Sequence, residues 1–318
     1  MVLRAMVKSV WARVGPVAPA MLAALFGVAS ASQAGTPIRG AAYVAELQTE
    51  RLYRVAFRWD GTGQLTVDTP RLIVTTNAGG GVHFADDVVY VTGAGTVTRV
   101  ELATAGTSSV QTSNNANACA ADPSQAFLYC GWHFGLSRVP LQPFGSGVLQ
   151  PLMGADLNLT AIVFTPAHGA FYSTGTEGIV GDFGSLDLNS GNTVRLQTSA
   201  FATGIVWDPF SERILLANLG RARLIDPANP TVAESQRDDS ASQNYLSLNV
   251  TGRGHAIGTL CCVNEARLVL LDYSASADLG SPQTLIASAV LPGLTLLSGE
   301  AAFDRDRLFA GGFEDGEF

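Results

Sequence analysis

The sequence predicts an all-β protein, a six-bladed β-propeller closed by strands from both ends of the chain. Three observations predict it. A unit of two hairpins recurs about every forty-three residues. The composition is 47% hydrophobic and only 14% charged, with 34 glycines, which suits short strands joined by tight turns. The two termini each supply part of one further unit.

The unit is clearest at Thr203–Pro227, TGIVWDPFSERILLANLGRARLIDP. Gly204–Trp207 is apolar, Asp208-Pro209 turns it, and Arg213–Ala217 runs back. Asn218-Leu219-Gly220 turns again, and Arg221–Ile225 alternates polar and apolar residues. Six segments share the later hairpin: RVAFRWDGTGQLTVD from Arg54, RVELATAGTSSVQT from Arg99, RVPLQPFGSGVLQPL from Arg138, SLDLNSGNTVRLQT from Ser185, RLIDPANPTVAES from Arg223 and LVLLDYSASADLGSPQTL from Leu268. Aligned on Ala56, Glu101, Pro140, Asp187, Asp226 and Asp272, they are spaced by 45, 39, 47, 39 and 46 residues. An earlier hairpin precedes most of them. Gly81–Asp87 runs into VVYVTGAG, Ala118–Pro123 into AFLYCGWHFG, Ala161–Pro166 into AFYSTGTEG, and Leu246–Gly254 into HAIGTLCC. Four antiparallel strands per unit make a propeller blade. One blade cannot bury both of its faces, so the stacked blades form one domain.

The ends predict how the ring closes. Ala41–Leu47 reads as a second strand with no first strand before it. Glu300–Asp304 reads as the missing innermost strand. A seventh blade stays open as an alternative, because Pro282–Leu297 is long and apolar.

Residues 1–34 read as a signal peptide. Arg4, Lys8 and Arg13 form a basic start, Val14–Val28 is apolar, and Ser32-Gln33-Ala34 offers small residues for cleavage after Ala34. An uncleaved anchor is the alternative; the two prolines in the apolar stretch argue against it. No later run has the length of a transmembrane helix. The propeller then occupies 35–305, with 306–318 as a C-terminal tail. The mature chain carries 16 Lys+Arg against 27 Asp+Glu, a net charge of −11. That balance argues against nucleic acid or an anionic membrane surface as partner. A monomeric periplasmic or secreted protein is expected.

Four cysteines remain, at 119, 130, 261 and 262. Cys119 and Cys130 flank a strand, an Asp122-Pro123 turn and a second strand, so a disulfide across adjacent strands is expected. Cys261-Cys262 is a vicinal pair. It forms either a strained ring disulfide or a buried pair of thiols, and the sequence does not choose.

The unit GIVWDPFSERILLANLG…RLIDP resembles the blades of the NHL, YVTN and SMP-30-like propeller superfamily, as does the hairpin LDLNSGNTVRL at Leu186–Leu196. The resemblance covers roughly residues 41–304. It implies the fold and leaves function open, because such blades host lactonases, cyclotransferases, quinone-dependent enzymes and binding proteins. The terminal DRLFAGGFE at Asp306–Glu314 resembles a short tail found on many secreted bacterial proteins, which implies a sorting tag. An ordinary terminal strand with an acidic tail explains it equally.

Ligands of propellers usually meet the face made by loops entering the first strands and leaving the second strands. Here that face would collect Glu46, Asn77, His83, Asn117, Trp132, His133, Glu177, Asn218, Asn264 and Glu300, with Cys261 and Cys262. A metal-dependent lactonase would hold a hard cation such as Ca²⁺ through carboxylates and amides, and Glu46, Asn77, Asn117, Asn218 and Glu300 are of the right type. The resemblance implies a Glu-Gly-Pro and a Pro-Asn-Gly for that activity, and neither triplet occurs. The histidines lack zinc-site spacing, with His168 and His255 falling on the opposite face. No Gly-x-Ser-x-Gly elbow is present, and no EF-hand spacing surrounds Asp187. The leading expectation is therefore a non-catalytic protein, without a cofactor, that binds a protein, peptide or glycan through this face. The alternative is a lactonase-like metal hydrolase with its site in the central channel.

Overall fold

In the computed structural model the described residues are 37–46, 49–76, 81–85, 87–93, 95–112, 116–132, 135–145, 150–152, 159–175, 180–200, 202–218, 220–239, 245–260, 265–294 and 302–303. They belong to one compact unit, Ala34–Phe318; residues 1–34, where a signal peptide is expected, lie outside the described residues.

Among the described residues, twenty-five strands and no helix form six antiparallel sheets, which stack as six propeller blades. Blade 2 is β5 (Val82–Ala85), β6 (Val88–Gly93), β7 (Thr96–Glu101) and β8 (Thr107–Gln111). Blade 3 is β9 (Ala116–Ala121), β10 (Phe127–Trp132), β11 (Gly135–Pro140) and β12 (Gln150–Leu152). Blade 4 is β13 (Leu159–Thr165), β14 (Gly169–Thr174), β15 (Val180–Leu186) and β16 (Thr193–Ala200). Blade 5 is β17 (Ala202–Asp208), β18 (Arg213–Asn218), β19 (Arg221–Ile225) and β20 (Ala233–Asp238). Blade 6 is β21 (Tyr245–Val250), β22 (His255–Leu260), β23 (Arg267–Asp272) and β24 (Leu285–Val290). The apolar stretch after Pro282 is thus the outer strand of blade 6, which removes the seventh blade.

Blade 1 joins the two ends of the chain. Its first strand is β25 (Ala302–Phe303), followed by β1 (Ile38–Glu46) and β2 (Arg51–Trp59). Its outer edge is split into β3 (Leu65–Val67) and β4 (Arg71–Thr75), both pairing with β2. Ala302 faces Tyr43 and Phe303 faces Ala42, the closure expected from the termini.

From blade 1 to blade 6 the first strands of successive blades contact one another, lining the axis. Second strands lie between two neighbouring blades, so both faces are buried and the usual alternation disappears. In Arg213–Asn218, RILLAN, every residue after Arg213 is buried. Outer strands face solvent, and Ala233–Asp238, AESQRD, alternates half-buried and exposed positions.

Among the described residues the buried apolar side chains form six clusters, one at each seam. Tyr43 and Leu52 meet Val82 and Val89; Tyr90 meets Leu128; Tyr129 meets Leu159. Phe171 and Phe183 meet Ile214 and Leu216; Leu215 meets Tyr245; Leu268 and Leu270 meet Val44 and Val55. Ile214 and Leu216 therefore face blade 4 while Leu215 faces blade 6. The three leucine-type residues of one short strand hold two seams.

The repeat also carries a pattern that differs around the ring. In blades 1, 2 and 3 the third strand places Arg54, Arg99 and Arg138 directly opposite Tyr43, Tyr90 and Tyr129. The corresponding forward-facing pairs are Phe171 with Ser185, Leu215 with Leu224, and Ile257 with Leu270. Half of the ring thus carries an aromatic and a cation at a position where blades 5 and 6 are aliphatic.

Cys119 lies opposite Cys130 on the paired strands β9 and β10, and the two are bonded, with Cα atoms 4.1 Å apart. Cys261 and Cys262 lie outside the described residues.

Candidate functional site

Second strands end, and first strands begin, at one face of the ring. Glu46 and Asn218 close β1 and β18 at this face. Neither is presented to solvent. Glu46 is 3% exposed, and its carboxylate Oε2 accepts hydrogen bonds from the Thr49 hydroxyl and from Tyr53 Oη at 3.4 Å. Asn218 is fully buried at the end of its strand, opposite Arg221. Their residue types suit a metal site, but here they terminate strands within the scaffold. A polar residue at a strand end reads the same in sequence whether it holds a turn or offers itself to a ligand.

His83 also departs from its expected place on that face. It lies within β5, half-buried, with its ring 6.4 Å from that of Tyr90. Its Nε2 accepts a hydrogen bond from the Ala121 N–H of blade 3 at 3.4 Å. The imidazole thus ties blade 2 to blade 3. Asn117 and Trp132 sit on β9 and β10. Asn77, His133, Glu177, Asn264 and Glu300 lie outside the described residues. Buried threonines support the same end of the blades: Thr92 Oγ1 accepts from Gly81 N–H at 2.6 Å, and Thr174 Oγ1 accepts from Asp182 N–H at 2.8 Å. Among the described residues no group of three or more His, Cys, Asp or Glu is placed to hold a metal ion.

The opposite face is built from aspartate-capped turns. Asp122 accepts from the N–H groups of Ala126 and Phe127. Asp187 accepts from Asn189 N–H and Ser190 Oγ. Asp60, in the exposed turn after β2, accepts from Thr62 Oγ1 and three backbone N–H groups. The bond from Thr62 leads in holding its carboxyl down at about 2. Asp208 accepts from Phe210 N–H, Ser211 N–H and Ser211 Oγ, as its reading as a turn residue requires.

Asp208 does more than turn the chain. It is fully buried and accepts a bond at 3.0 Å from the hydroxyl of Tyr273 in blade 6. A second buried centre lies at the seam between blades 6 and 1. Asp272 Oδ2 accepts from Trp59 Nε1 at 3.0 Å, and Oδ1 accepts from Ser274 N–H and Oγ at 3.1 and 2.6 Å. His255 Nε2 lies 3.5 Å from Asp272 Oδ2, and both side chains are buried. Burial alone would push the Asp272 carboxyl up. The bonds from His255 and Ser274 outweigh it and hold the group at about 2. His168 is exposed in its turn, whereas His255 is enclosed. In the sequence Asp272 is only an alignment point of the repeat, and no local signal joins it to Trp59 or His255.

The fold has many solved counterparts. Over 83% of this chain and 97% of the other, it is similar to a chain of the nidogen/laminin complex, with TM-score 0.64 and 15% identity. It is also similar to regucalcin, a calcium-binding protein of Agrobacterium tumefaciens strain C58, with TM-score 0.54 and 13% identity over 69% of this chain and 76% of that one. TolB from Acinetobacter baumannii matches with TM-score 0.55 and 11% identity over 83% of this chain and 66% of its own. The likeness shows the fold. No family model matches the chain, and no curated protein matches it in sequence.

Proposed function

We propose that the protein is an extracytoplasmic binding or scaffold propeller that offers one face of its ring to a protein, peptide or glycan. The observation that carries this reading is the engagement of Glu46 and the burial of Asn218. The Glu46 carboxylate that a channel metal would recruit already accepts bonds from Thr49 and Tyr53, and Asn218 is buried at its strand end. Binding then falls to the loops of the same face, with Trp132, His133 and Glu177 as contact candidates. One of the similar structures is in keeping with it: it is solved as a complex of nidogen with laminin, and loop faces commonly carry binding sites. The Cys119–Cys130 disulfide supports an oxidising compartment.

The test is a peptide and glycan array probed with the mature protein and with Trp132→Ala, His133→Ala and Glu177→Ala variants. A ligand whose binding falls at least about tenfold in these variants supports the reading, since one lost anchor typically costs that much. Ligands bound equally well by all of them would refute the assigned face. A second reading is favoured by the likeness to a calcium-binding regucalcin: a lactonase-like hydrolase using Ca²⁺ in the channel. Lactone turnover that requires added Ca²⁺ and is lost in Glu46→Gln would establish it.

A further inference from the structure

The face opposite the proposed binding loops exposes apolar side chains on the turns of blades 3, 4 and 5, referred to below as the collar. The turns between first and second strands of blades 3, 4 and 5 place a proline at the same step: Asp122-Pro123, Thr165-Pro166 and Asp208-Pro209. All three prolines are exposed. Beside Pro209, Phe210 is 39% exposed, and its ring meets Tyr273 edge-on at 6.2 Å. The adjacent turn of blade 6 supports it from behind. Gly252 and Gly254 have φ of +77° and +81°, and a Cβ on Gly254 would lie 2.9 Å from the Phe210 ring. Phe210 is therefore held in place without being covered. Farther out at the same end, Val232 and Val194 are 55% and 60% exposed.

The last described strand, β25, runs toward this end of the ring. Phe303 faces Ala42 and Ala302 faces Tyr43, so the chain leaves β25 in the direction of Ile38. Residues 304–318 follow β25, long enough to reach up to about 50 Å when extended. The segment is rich in large apolar residues, with Leu308, Phe309, Phe313 and Phe318. It ends acidic, with Glu314, Asp315 and Glu317, and Arg253 stands exposed on the blade 6 turn beside Phe210.

We propose that residues 304–318 dock on this collar, seating Phe309 or Phe313 against Phe210 and the proline turns. The collar and the loop face lie at opposite ends of the ring, so either assignment can fail without the other.

The test is limited trypsin digestion of the full mature chain, following cleavage after Arg305 and Arg307 by mass spectrometry. The comparison is with Phe210→Ser and with the tail double variant Phe309→Ser/Phe313→Ser. Cleavage is expected to be about tenfold faster in both variants, because a docked aromatic must leave its site before the protease can act. The tail variant leaves the ring untouched, so it keeps the test valid if Phe210→Ser disturbs packing against Tyr273. Equal cleavage rates in all three proteins would overturn the proposal. Protection that disappears on dilution would assign the tail to a second copy and would overturn docking within one chain.

Discussion

Replacing Asp272 by Asn probes the seam where the ring closes without a covalent link. The carboxylate is held at about 2 in the folded protein against 3.8 as an ordinary aspartate. At about 1.36 kcal/mol per pH unit, that difference stabilises the fold by roughly 2 kcal/mol at neutral pH. The side chain is only 3% exposed, so solvent screening takes little from this figure. The Asn side chain also faces the Trp59 N–H with weakened or misdirected acceptors, which adds about 1 kcal/mol. Urea unfolding followed by tryptophan fluorescence should show Asp272→Asn destabilised by about 3 kcal/mol at pH 7. The sign of the pH dependence follows from a lowered carboxyl. The stabilisation is complete above the ordinary value and is lost as pH falls through the folded one. The gap between the two proteins should therefore shrink to about 1 kcal/mol between pH 5 and pH 2, since other carboxylates titrate alike in both. A gap that does not change with pH would refute the reasoning.

Gly258 in β22 lies against β21 so closely that a Cβ would sit 1.7 Å from the Ser247 carbonyl oxygen. Gly258→Ala should cost about 3 kcal/mol or more, or prevent folding, as read by the urea midpoint; a wild-type midpoint would contradict that spacing. The Cys119–Cys130 bond closes a loop with a sequence separation of 11. Cys119→Ser/Cys130→Ser should lose about 3 kcal/mol, and thermal unfolding of wild-type protein should become reductant-sensitive while the variant does not. Truncation after Gly299 removes β25 and leaves β1 with an open edge. Amide exchange should accelerate first at Ala42 and Tyr43, and unchanged exchange there would deny β25 its role in closure.

The ring was legible because each of its devices repeats locally. Gly204–Trp207, Arg213–Ala217 and Arg221–Ile225 each lie within an observed strand, since apolar runs bounded by Asp-Pro and Asn-Leu-Gly leave little other choice. The unpaired start at Ala41–Leu47 pointed to a strand from the other end of the chain. The Cys119–Cys130 bridge followed from the same strand reading. What stayed hidden lies between blades. Trp59 and Asp272 are 213 residues apart, and Tyr273 and Asp208 are 65 apart, so no local pattern joins them. The repeat identified Asp208 as a turn residue and used Asp272 only as an alignment point, and it showed neither as an acceptor for a neighbouring blade. It likewise brought Glu46, His83 and Asn218 to one face by counting strands. It could not show that Glu46 and Asn218 are buried, or that His83 turns toward blade 3.

The central claim is that the loop face binds a partner and that Glu46 and Asn218 serve the scaffold rather than a catalytic ion. Elemental analysis of the purified mature protein, after equilibration with Ca²⁺ and Zn²⁺ and gel filtration, tests it most directly. The account predicts much less than one equivalent of either metal per chain, unchanged in Glu46→Gln. One equivalent retained by the wild type and lost in Glu46→Gln would contradict it.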